Sequence, residues 1–222
     1  VALLTACAQP HRSAPEEAGR AASAAAPSIA ADAEVFRVVP AQSELHILVF
    51  RGGALGRFGH NHVIAARELS GLAWRGGESW SGFELTANVS ALEVDAPELR
   101  AAYGAEFATR LTQQQIEGTR RNMLSEKVLD AARFPRISLR SSRIEGARES
   151  PRVWALVTVK DVTRELELPL TLESEPARVI ASGALDLKQT DFGITPFTAA
   201  LGALEVQDVL HLEYRIVAER RD

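Results

Sequence analysis

A single cysteine, Cys7, stands in a chain of 222 residues. With no second thiol there is no intramolecular disulfide framework, and no thiolate-based zinc site can be assembled. Positive charge is not in excess either: 25 Lys and Arg against 29 Asp and Glu leave a formal net charge of −4. A sequence-independent grip on nucleic acid, which depends on neutralising phosphates, therefore lacks its driving force. Beyond the first few residues no run of about 20 apolar residues occurs, so no later segment reads as a membrane-spanning helix. A Gly-x-Ser-x-Gly elbow for a serine nucleophile is missing, as are a phosphate-binding glycine loop and any internal repeat.

What is present begins with the run Leu4-Thr5-Ala6-Cys7, which resembles the lipobox of bacterial lipoproteins. That resemblance implies that residues 1–6 are the remnant of a signal peptide, removed at export, and that Cys7 becomes the lipid anchor. Several acyl chains on one residue give stable anchoring where one chain would not. Residues 8–33 are rich in Ala, contain Pro10, Pro15 and Pro27 and hold no aromatic residue. Such a stretch cannot bury enough apolar surface to offset its ordering entropy and reads as a disordered tether, reaching on the order of 30 Å. The expected address is the periplasmic side of the cell envelope. Ala8 after the cysteine, in place of Asp, points to the outer membrane if the host is diderm.

From Glu34 to Asp222 the dominant hydrophobic period is two, which puts alternate side chains on opposite faces of a strand. Phe83, Leu85, Ala87 and Val89 alternate with Glu84, Thr86, Asn88 and Ser90. Leu166, Leu168, Leu170 and Leu172 repeat the pattern, as do Leu210, Leu212, Tyr214 and Ile216. Further strands are expected near 43–50, 63–75, 136–145, 152–160 and 179–189, about eight in all. One excursion, Pro97 to Ala132, reads as two short helices, with Asp95 as a plausible start signal. The expectation is an all-β antiparallel domain, sandwich or barrel, with a short helical insertion beside the sheet.

Several segments carry a resemblance to the YceI-like family of envelope proteins. They are Phe36 to Leu45, with Ser43 before an apolar run; Phe134-Pro135-Arg136-Ile137 and its strand; the hairpin Val157 to Arg164; and Asp191-Phe192-Gly193-Ile194. The resemblance covers about residues 34–219. It implies a lipocalin-like antiparallel β-barrel and non-catalytic binding of a polyisoprenoid, such as an isoprenoid quinone or its precursor, or another long apolar lipid, with no resident cofactor. Residues placed at its cavity or mouth on this reading are Phe58, His60, His62, Phe83, Leu85, Leu139, Phe192 and Phe197. The chain departs from the family pattern at Pro40 and Gln42, at Gln189 and at Lys160-Asp161, and carries Gly59-His60-Asn61-His62 instead.

The histidines admit another reading. In an extended segment His60 and His62 project from one face, the arrangement by which two neighbouring ligands reach one metal. A metal-binding protein or metal-dependent enzyme would need a third ligand, for which His46 and Asp191 are candidates by type. The simpler alternative is a polar turn with one ring bonded to backbone and the other touching a ligand headgroup. Trp74, Trp80 and Trp154 are read as core, and Arg120, Arg121 and Asn122 as a solvated helix face or partners of a headgroup.

Overall fold

The computed structural model describes residues 28–220. The expected signal remnant, the anchor Cys7 and most of the tether lie outside them. The described residues form thirteen strands, every pair antiparallel, and two α-helices, with short 3-10 turns between.

In chain order the first strands are β1 (Glu34–Val38), β2 (Glu44–Gly52), β3 (His62–Ala66), β4 (Leu69–Gly76), β5 (Ser79–Asn88) and β6 (Leu92–Val94). Helices α1 (Pro97–Ala102) and α2 (Gln113–Leu124) follow. Then come β7 (Arg136–Ala147), β8 (Ser150–Val159), β9 (Val162–Leu168), β10 (Thr171–Ser174), β11 (Arg178–Lys188), β12 (Thr198–Ala199) and β13 (Leu204–Arg220).

Two of the five strands beyond the expected eight arise because prolines interrupt strands without redirecting them. Pro40 lacks the N–H a ladder needs, so a 3-10 turn separates β1 from β2, yet both pair with β13. Pro169 likewise splits β9 from β10. β9 pairs with β8 and β10 with β11, so the hydrogen-bonded sheet does not close into a ring; the backbone at Pro169–Leu170 joins its two arms covalently. With each interrupted strand counted once, eight long strands wrap the interior, and β3, β6 and β12 are additions. The segment expected as one strand over 63–75 is two, turned at Arg67-Glu68.

The seam at Pro169 is closely fitted. The Tyr214 hydroxyl donates to the Pro169 carbonyl at 2.5 Å, and a Cβ on Gly183 would lie 2.0 Å from that same oxygen. Burial pushes the Tyr214 phenol up to about 12, so it stays a donor at any physiological pH.

One end of the barrel is filled. Phe36, fully buried, meets Trp80 with ring centroids 5.5 Å apart, and the buried Arg75 guanidinium lies over both rings while pairing with Glu34. Trp74 is also buried, lying across Gly82, where any Cβ would meet the indole at 2.3 Å. Trp154 stays partly exposed on the outer face, stacked under Arg143 and Arg152.

The helical excursion divides into two parts with different jobs. α1 and the turn after it cover the outer face of β2 and β3, packing Phe107, Leu99 and Tyr103 against Leu48, Phe50 and Val63. α2 and residues 125–134 instead pack toward the interior through Ile116, Met123, Leu124 and Leu129. α2 starts with a capping box in which Thr112 and Gln115 satisfy each other's backbone N–H groups. Asp95 is not the start of α1: Ala96 holds the cap position, with no side-chain bond to the helix.

Candidate functional site

The inward phases of the strands leave an apolar cavity of about 350 Å³, within the size range of small-molecule pockets. Alternation decides which side chains reach it. Leu45, Ile47 and Val49 come from β2, Ile137 and Leu139 from β7, Val157 and Val159 from β8, Leu166 and Leu168 from β9. Leu185 and Leu187 come from β11, and Leu210, Leu212 and Ile216 from β13. Met123, Val128 and Leu129 contribute from α2 and the segment after it. Of thirty-two lining residues, only His62, Thr119, Asn122, Lys188, Gln189 and Tyr214 carry a polar group in the side chain.

Two of these polar groups are already engaged. Gln189, buried, donates to the Gln207 carbonyl at 2.9 Å, and Tyr214 donates to Pro169. His62 is held from behind: its Nδ1 lies 2.6 Å from Oδ2 of Asp95, whose side chain has no exposed surface. The other Asp95 oxygen accepts from the Val63 N–H at 3.0 Å and from Arg100 Nη1 at 2.5 Å. Burial alone would raise the Asp95 carboxyl, but bonds from His62, Val63 and Arg100 outweigh it and hold it below the usual carboxylate range. Arg100, itself buried, also donates to the carbonyls of Asn61 and Thr109. Asn61 completes the knot, accepting from the Arg51 N–H and donating to the Glu106 carbonyl.

The backbone at this corner suits the residues found there. Asp95 has φ 56°, a left-handed conformation that Asp tolerates better than most residues because its short polar side chain bonds locally. That conformation lets its N–H donate to the Val63 carbonyl while its carboxylate accepts from the Val63 N–H, so strand end and helix entry are pinned to β3 together.

The eight residues named from the sequence separate into two groups. His62, Leu85, Leu139, Phe192 and Phe197 line the cavity. Phe58 lies outside its lining, 61% exposed in the β2–β3 loop with the Arg57 guanidinium over its ring. His60 is half-buried beside the cavity rather than in its lining, its ring centroid 6.4 Å from that of His62. Burial, followed by the neighbouring His62, Arg100 and Arg51, pushes the His60 imidazole below its ordinary pKa. Phe83 shares the phase of Leu85 but stands level with Phe36 across β4, at the end of the barrel already filled by the Phe36 and Trp80 rings.

Among the described residues no three His, Cys, Asp or Glu side chains converge as a metal site. The two proposed third ligands lie elsewhere. His46 is on the outer phase of β2, its Nδ1 2.9 Å from the Tyr103 hydroxyl, which in turn donates to Glu213. Asp191 is exposed in the turn before Gly193. Asp95 and Arg100 were not named from the sequence as site residues, because nothing in a single sequence ties Asp95 to a histidine 33 positions earlier. Of the three helix residues read as a solvated face or as partners of a headgroup, Asn122 lines the cavity, while Arg120 donates to the Ser90 carbonyl.

Comparison with known proteins agrees with this architecture. No curated protein matches the sequence. Among solved structures, BcnA from Burkholderia cenocepacia superposes with a TM-score of 0.57 at 14% identity, covering 81% of this chain and 98% of that one. A polyisoprenoid binding domain from Saccharophagus degradans, implicated in plant cell wall breakdown, gives a TM-score of 0.58 at 9% identity over 84% and 98%. The Campylobacter jejuni YCEI protein gives 0.51 at 10% over 72% and 85%. At such identities the likeness is one of fold. The family model of the YceI-like domain matches residues 36–218, nearly the whole of the described chain, and the protein belongs to the YceI-like family.

Proposed function

We propose that this domain binds a polyisoprenoid or a similarly long apolar lipid in its barrel cavity, as a carrier or store and not as a catalyst, at the cell envelope. The observation that carries the reading is the lining itself: twenty-six of its thirty-two residues are Ala, Val, Leu, Ile, Met or Phe. A lipid tail moved from water into such a lining gains about 0.8 kcal/mol per buried methylene. A dozen buried carbons then offset a sizeable association cost without any charged contact. The family and the polyisoprenoid-binding neighbour support the same class of ligand. Presentation at the envelope through a lipid on Cys7, on a tether over residues 8–33, rests on the lipobox-like run Leu4 to Cys7.

The test is native mass spectrometry of the protein purified without detergent, followed by organic extraction of the same sample. A non-covalent adduct whose extracted mass falls in isoprene-unit steps supports the reading. A protein that purifies empty and whose melting temperature does not move when long-chain prenyl lipids are added overturns it, because a ligand bound only by the folded state must stabilise that state.

A further inference from the structure

One acceptor is built into the apolar lining with unusual care. The Asp95 carboxylate that faces His62 is ionised and can only accept, so the proton between them sits on Nδ1. In the neutral ring that assignment leaves Nε2 as a lone pair. Nothing among the described residues hydrogen-bonds Nε2, while the His62 side chain keeps 16% of its surface accessible and lines the cavity. Ring and carboxylate cannot drift, because Asp95 is fixed by Val63 and Arg100, and Arg100 by Asn61 and Thr109. An acceptor held this firmly on a side chain of the apolar lining is left unmatched by an all-hydrocarbon ligand, which costs binding free energy. Of the other polar groups in the lining, Tyr214 gives its hydroxyl hydrogen to the Pro169 carbonyl and Gln189 gives one amide hydrogen to the Gln207 carbonyl.

We propose that His62 is a specificity-determining residue whose Nε2 accepts a hydrogen bond from a hydroxyl group on the ligand, with Asp95 and Arg100 as positioning residues. The favoured ligand class is then a long-chain alcohol or hydroquinone-like lipid, in preference to a hydrocarbon, an ether or an ester of the same length. This inference rests on the cavity-binding reading and narrows it to one end of the ligand.

The experiment compares geranylgeraniol with its methyl ether, which keeps the chain and the oxygen but has no donor, by calorimetric titration of the delipidated protein. Wild type is expected to bind the alcohol about ten-fold more tightly than the ether, the size of one well-placed hydrogen bond. His62→Phe is expected to bring that ratio to about one, whatever the new ring does to the affinity for the chain common to both probes. His62→Gln, which retains an acceptor, should recover part of the preference. Equal affinities in wild type, or an undiminished preference in His62→Phe, would overturn the role of His62 while leaving the cavity reading intact. If neither probe binds wild type, both fall. The wild-type comparison needs no variant, so a poorly folding substitution does not shield the proposal.

Discussion

The β7–β8–β9 wall and the β2–β3–β6 corner enclose the same cavity, but they are built by different physics. In the wall one face meets the cavity and the other meets water. Ile137, Leu139, Val157, Val159 and Leu166 point in, and Arg152 pairs with Glu167 outside at 2.9 Å. At the corner both faces are covered, because α1 and Phe107 pack on the outside of Leu48 and Val63. Asn61, Asp95 and Arg100 are therefore buried, and each makes at least two hydrogen bonds there. Charges on the wall are individually dispensable, whereas those at the corner hold as a unit or fail together.

The largest effect is expected where that unit is broken. Asp95→Ala leaves a buried guanidinium, the Val63 N–H and the His62 ring without their shared partner, and should cost about 3–5 kcal/mol. In a domain of this size that is a fall in Tm of roughly 6–20 °C, measured by thermal denaturation. A loss under about 1 kcal/mol would show that the corner is no more cooperative than the wall.

Acid titrates the same difference. Asp95 has a folded pKa below its unfolded value near 3.9, so its contribution is fully present above about pH 4 and is lost as pH falls through the lower folded value. Burial holds His60 and His46 below their ordinary pKa, so the unfolded chain takes up those protons first. Their effect is a shallower decline that starts as pH drops below about 6.5. All three groups lie at the corner. Tm measured against pH should show both limbs, with His60→Gln flattening the upper one and Asp95→Asn the lower one. Unaltered profiles in both variants would place the acid sensitivity elsewhere.

Matched truncations sharpen the contrast further. Val63→Ala removes methyls of a fully buried side chain clustered with Leu48 and Phe107 and is expected to cost about 2 kcal/mol; Val157→Ala, bordering a cavity already present, about 1. Urea midpoints at constant slope would read the two values. The smallest effect belongs to Arg152→Ala, whose side chain is 64% exposed: its ion pair should contribute less than about 1 kcal/mol.

The wall was legible in the sequence because a solvent face and a cavity face force strict alternation, visible at Phe83 to Val89 and at Leu210 to Ile216. The corner was not. Leu45 to Phe50 is apolar in both phases because both of its faces are covered, so it carries no period that says which residues look inward. Asp95 announces only a helix entry until the fold brings His62 to it. The interruptions at Pro40 and Pro169 were in plain view, yet a single chain does not tell whether a proline ends a strand or merely pauses it. Phe58 reads in the sequence as a mouth residue, an aromatic among glycines, and it stands exposed outside the cavity lining.

β13 has a consequence for how the molecule comes to exist. This strand carries β1 and β2 on one side and β11 on the other, with Phe36 opposite Arg220. Until residues 204–220 have been synthesised, the earliest and latest strands have no shared partner, and the leucines and valines that will line the cavity stand open to water. Pairing across such a span of chain is slow, and the waiting intermediate is prone to aggregate. The newborn chain therefore stays exposed to aggregation until its final strand slides in between the two halves and seals them.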